Sequence, residues 1–60
     1  MLVLGRKLYE ETVVVLPDGT EIIAQVVRIA PDKVRIGWMA PAAVKIHRRE
    51  VYEAIQRSTK

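Results

Sequence analysis

Basic side chains dominate the residues of this sequence that could do chemistry. Arg6 and Lys7 form one pair, and Lys33, Arg35, Lys45, Arg48 and Arg49 follow with no acid among them. Every acid except Glu50 and Glu53 lies between Glu10 and Asp32. Cations segregated in this way suit a phosphate-bearing surface, where each displaces condensed counterions and gives an affinity that falls with salt. A mild basic excess also suits the solvated face of a small domain, and charge alone leaves both readings open. Catalytic groupings are nearly absent. His47 is the single histidine, there is no cysteine, and the hydroxyl groups are those of Tyr9, Thr12, Thr20, Tyr52, Ser58 and Thr59. A triad needs nucleophile, base and orienting acid in mutual reach, and His47 near Glu50 reads as a surface pair. Gly5, Gly19 and Gly37 are isolated, so no glycine-rich phosphate loop is present. The expectation is a non-enzyme with no catalytic residue, no metal site and no cofactor.

A chain of 60 residues and 6.8 kDa is one domain, spanning 1–60. Half of it is hydrophobic, too much for a disordered tail. A domain this small buries only about 60% of the surface its unfolded chain exposes, and a single core of this size rarely supplies more than about 3–5 kcal/mol. Without cysteine, neither a disulfide nor a thiolate zinc site can staple it. The remaining staple is another subunit, so an obligate oligomer is expected. No apolar run approaches the length that spans a bilayer. The charges of Arg6 and Lys7 follow a short apolar start, the wrong order for a secretory signal. A cytoplasmic protein with no membrane partner is the expectation.

The elements that must position the basic residues are mostly extended. Met1–Leu4 is a continuous apolar run that could open either a buried strand or a helix. Thr12–Leu16 is rich in β-branched residues, which favour a pleated surface. Leu16-Pro17-Asp18-Gly19 is the strongest turn signal, with proline fixing φ and glycine accepting the left-handed conformation. The return segment 21–29 places Ile22, Ala24 and Val26 on one face and Ile23, Val27 and Ile29 on the other with Gln25. Apolar residues on both faces imply that both are covered. Ala30-Pro31-Asp32-Lys33 is a second turn. Val34, Ile36 and Trp38 then alternate with Arg35 and Gly37, Ala40-Pro41 breaks the pattern, and 44–48 alternates again. There Arg48 shares a face with Val44 and Ile46, while Lys45 and His47 point away. Helical spacing returns at about 49–57, where Val51, Ala54 and Ile55 share a side and Glu53 precedes Arg57 by four. No Ser, Thr, Asp or Asn marks its start. The fold class is thus all-β with a C-terminal helix: five short strands and one helix per subunit. Strand exchange in an intertwined dimer would remove the open edges.

Duplex DNA is a poor fit, because the one helix carries Glu50 and Glu53 on its first turns. Three aromatic residues, Tyr9, Trp38 and Tyr52, are few for a base-stacking sheet or for nonspecific single-strand DNA binding. Trp38, alternating with Val34 and Ile36, reads as core or interface. What remains is a strand edge or loop set, rimmed with Arg and Lys, that reads exposed single-stranded bases.

Val34-Arg35-Ile36-Gly37, Ala40-Pro41, Val44-Lys45-Ile46-His47-Arg48, and Glu50-Val51-Tyr52 with Ile55 resemble the CsrA/RsmA family of carbon-storage regulators. Met1–Leu4, Arg6-Lys7 and Glu10 resemble that family's opening segment, so the likeness spans nearly the whole chain. The resemblance implies a bacterial homodimer in which the first strand of one subunit pairs beside the fifth of the other. It implies two RNA sites per dimer, each taking a GGA element of an mRNA, commonly in a hairpin loop. Binding at a ribosome-binding site blocks translation initiation; on other messages it alters stability or activates. Antagonist small RNAs, and in some bacteria a flagellar assembly protein, are the further partners implied. By position, Leu4, Arg6 and Lys7 fall in the first-strand contact segment, Ile46, His47 and Arg48 in the fifth, and Ala40 with Pro41 in the loop that borders the bases. Arg48 matches the arginine on which binding depends most in that family.

Several positions depart from the family pattern. Gly5 stands where threonine or serine is usual, Tyr9 where glycine is usual, Trp38-Met39 where a smaller or polar pair is usual, and Arg49 where an acid is common. The hairpin around 16–20 is longer than is typical. A divergent dimer that keeps the fold but binds mainly a protein is the competing reading, and the basic pairs at Arg6-Lys7 and Arg48 favour RNA over it.

Overall fold

The computed structural model describes residues 1–58; residues 59 and 60, the end of the expected domain, lie outside them. Three strands, β1 (Glu11–Val15), β2 (Glu21–Ala30) and β3 (Lys33–Met39), precede one helix, α1 (Arg49–Ser58). The strands form an antiparallel sheet in the order β1-β2-β3. The fold is therefore all-β with a C-terminal helix.

The β1–β2 hairpin follows from its turn chemistry. The Gly19 N–H donates to the Leu16 carbonyl at 2.9 Å and the Leu16 N–H to the Thr20 carbonyl at 2.8 Å. Gly19 sits at φ +89°, a conformation that a side chain would strain. The Thr20 N–H donates to the Asp18 carboxylate at 3.0 Å, and this bond, with that of the Thr20 hydroxyl, holds the Asp18 pKa below its ordinary value. The turn pins the register, with Val14 opposite Ile22 and Thr12 opposite Ala24.

The β2–β3 connection is Pro31-Asp32, flanked by the pair Ala30 and Lys33. A bulge interrupts this ladder between Val26, opposite Ile36, and Arg28, opposite Arg35. One extra residue, Val27, shifts the alternation that strict period two imposes. Ile29 consequently lies opposite Val34, on the face of Val26, Ile36 and Trp38. The expectation that Ile29 shares the face of Ile23 and Gln25 is corrected here. Gly37 accommodates the bulge: a Cβ there would come within 3.3 Å of the Val27 Cγ1.

Two of the five expected strands do not form within the chain. Residues 1–4 and 44–48 belong to no ladder. Among the described residues, the backbone N–H and C=O groups of Met1–Leu4 and Lys45–His47 make no hydrogen bond. A strand exists only through its neighbour, and both outer edges of the sheet, β1 and β3, stay open. The core is correspondingly slight. Among the described residues Ile22, 8% exposed, is the one buried hydrophobic residue. The chain exposes 5511 Å², where a compact monomer of this mass would expose about 3,950 Å². Its radius of gyration is 13.8 Å, against about 10.4 Å for a compact 60-residue domain.

Candidate nucleic-acid interface

The N-terminal cations are set by a tight turn. The Glu10 N–H donates to the Lys7 carbonyl at 3.0 Å, closing a four-residue turn over Leu8 and Tyr9. Tyr9, at its third position, has φ +67°, as a type II turn demands and as glycine supplies most easily. For a tyrosine the left-handed region costs about 1–2 kcal/mol. The Glu10 carboxylate accepts the Lys7 N–H at 2.7 Å and pairs with an Nη of Arg6 at 3.3 Å. Arg6 also donates through Nε to the Gly5 carbonyl at 2.9 Å and through Nη1 to the Glu11 carbonyl at 3.2 Å. Its guanidinium is largely committed to its own chain. Glu10 thereby positions both cations, a role legible in sequence only as the three-residue spacing from Lys7 across a turn.

At the other end of the chain, the Tyr52 N–H donates to the Arg48 carbonyl at 3.0 Å, which makes Arg48 the N-cap of α1. Arginine has no side-chain acceptor for the free N–H groups of the first turn, whereas Ser, Thr, Asp or Asn there is worth about 1 kcal/mol. Arg48 Nε pairs with Glu50 at 3.3 Å, both side chains more than two-thirds exposed. Such a pair contributes about 0–1 kcal/mol. The Arg48 side chain stays 78% exposed in this pair, so its planar fork can exchange Glu50 for two-point contact with a phosphate or guanine edge.

The eight expected site residues fall into three groups. Leu4 and Arg6 line a groove of about 280 Å³ with Thr12, Ala24, Val26 and Ile36. Ile46, His47 and Arg48 line another, of about 400 Å³, with Ile36 and Trp38. Ile36 borders both grooves, so the two basic ends approach one sheet face from opposite flanks. Ala40 and Pro41 line neither; they follow β3, and the Pro41 carbonyl accepts the Val44 N–H at 2.9 Å. Lys7 is held at its backbone beside the first groove. His47 lines the groove of Ile46 and Arg48 and also a second one with Lys45, Tyr52 and Ile55 on the helix side, so it borders both, and 44–48 forms no ladder within the chain.

The family model described as "CsrA: Global regulator protein family" matches residues 1–57. The chain belongs to the CsrA family. A Translational regulator CsrA of Rhodopirellula baltica is 52% identical over 58 residues, covering 97% of this chain and 77% of the relative. The protein of that name in Treponema pallidum is 40% identical over 60 residues, covering 100% and 77%. That of Bacillus subtilis is 39% identical over 56 residues, covering 93% and 70%. The CsrA match includes 1–4 and 44–48, the two stretches left without a strand partner. It also includes Arg6, Lys7 and Arg48.

Proposed function

We propose that this protein is a homodimeric post-transcriptional regulator that binds GGA-containing mRNA sites. Hairpin loops near ribosome-binding sites are its targets, and binding represses translation or alters message stability. The observation that carries this reading is the CsrA match over residues 1–57, which takes in an exposed arginine at 48. The RNA site consists of Leu4, Arg6, Lys7, Ala40, Pro41, Ile46, His47 and Arg48, with the first-strand segment of one protomer beside the fifth-strand segment of its partner. Residues 1–60 act as one domain in the cytoplasm. Small RNAs rich in GGA elements, or a flagellar assembly protein, antagonise it.

A gel shift with a GGA hairpin against the same hairpin carrying CCA tests this directly. A strong preference for GGA is the expected result; equal binding, or none, would favour the reading of a protein-interaction module. Salt provides a second measurement. With Arg6, Lys7, Lys45 and Arg48 around each site, log affinity falls linearly with log salt, at a slope of about −0.7 per phosphate neutralised and about −3 for four. Salt-independent affinity would mean that the basic rim is only a solvated face.

A further inference from the structure

Tyr9 is the one described non-glycine residue with a positive φ. A glycine would close the same turn without strain. The residue is 64% exposed, and its hydroxyl makes no hydrogen bond among the described residues. Its backbone, by contrast, is held firmly. The Tyr9 N–H donates to the Val26 carbonyl at 2.7 Å, and its carbonyl accepts the Gln25 Nε2 at 3.0 Å. The result is an aromatic ring on a fixed base, two residues beyond Lys7, on the turn that sets Arg6. A strained residue that the surrounding structure over-determines points to a role outside folding. A rigid tyrosine offers a stacking face at low entropic cost.

We propose that Tyr9 is a base-stacking residue that extends the RNA site past Arg6 and Lys7 and takes an unpaired nucleobase flanking the core element. This inference rests on the RNA-binding reading above. Lys7, and Arg6 once an RNA phosphate displaces Glu10 from it, would hold the phosphate backbone close by, and the ring would supply the sequence-tolerant contact that single-stranded bases accept.

The test is equilibrium binding of the full chain to a GGA hairpin with unpaired flanks, and to versions with each flanking nucleotide made abasic in turn. One abasic position is expected to weaken wild-type binding about fivefold or more. Tyr9→Gly should weaken binding to the intact RNA by a similar factor and ignore that abasic change, while Tyr9→Phe keeps the wild-type pattern. The Tyr9→Gly melting temperature should equal or exceed that of wild type. Additive effects of the Tyr9→Gly and abasic changes, unaltered affinity of Tyr9→Gly, or a lowered melting temperature would each overturn the proposal, the last by making the ring structural. If wild type fails to prefer GGA over CCA, the parent reading falls and the role of Tyr9 falls with it.

Discussion

Arg48→Ser is expected to lose most of its RNA affinity while melting at or slightly above the wild-type temperature. Two opposing terms set the stability side. Serine at the N-cap of α1 would accept a first-turn N–H, a gain of about 1 kcal/mol. The lost pair with Glu50, exposed on both sides, costs about 0–1 kcal/mol. Binding has no such compensation. A bidentate arginine contact is worth roughly 1–3 kcal/mol, or about five- to 150-fold in affinity for each site. Arg48→Ala separates the cap from the contact: it forfeits the RNA contact equally and gains no cap. Calorimetry and RNA titration on both variants decide the matter. Wild-type affinity in a folded Arg48→Ser protein would remove Arg48 from the site, and a matching fall in melting temperature would make its role structural.

Dilution is expected to unfold this protein. The single chain exposes 5511 Å², about 1,500 Å² more than a compact monomer of its mass. Two protomers covering that excess would bury about 3,000 Å² in total, within the range of obligate homodimers. One buried apolar residue cannot offset the conformational entropy of ordering about sixty, at about 1–2 kcal/mol each for the backbone. Folded structure and association should therefore be lost together, with a melting temperature that rises with concentration. Sedimentation paired with circular dichroism reads this. A folded 6.8 kDa species at low micromolar concentration would contradict it.

Local chemistry made the hairpin and the helix legible in the sequence. Leu16-Pro17-Asp18-Gly19 names its own turn, and the apolar spacing of Val51, Ala54 and Ile55 names a helix whatever surrounds it. The face of Ile29 was not legible, because a bulge at Val27 depends on packing over Gly37 across the sheet, and no period in β2 encodes it. The expected strands at 1–4 and 44–48 have no neighbour within the chain and form no ladder in it. Apolar alternation reports that a face will be covered, not by what. At the candidate site, the cations were visible as a segregated charge pattern. Their internal commitments were not: Glu10 reaches Arg6 and Lys7 only because Tyr9 adopts a left-handed turn that its residue type disfavours.

The bare backbone at Met1–Leu4 and Lys45–His47 has a genetic consequence. If a partner protomer supplies the missing edges, each RNA site draws Arg6 from one copy and Arg48 from the other. A cell expressing one allele with Arg6→Ala and another with Arg48→Ala would then assemble mixed pairs. In each mixed pair one site carries both lesions and its twin carries neither. Two alleles that each fail alone would complement in trans, restoring regulation through a single intact site. Were both arginines of a site drawn from the same chain, mixing the alleles would repair nothing.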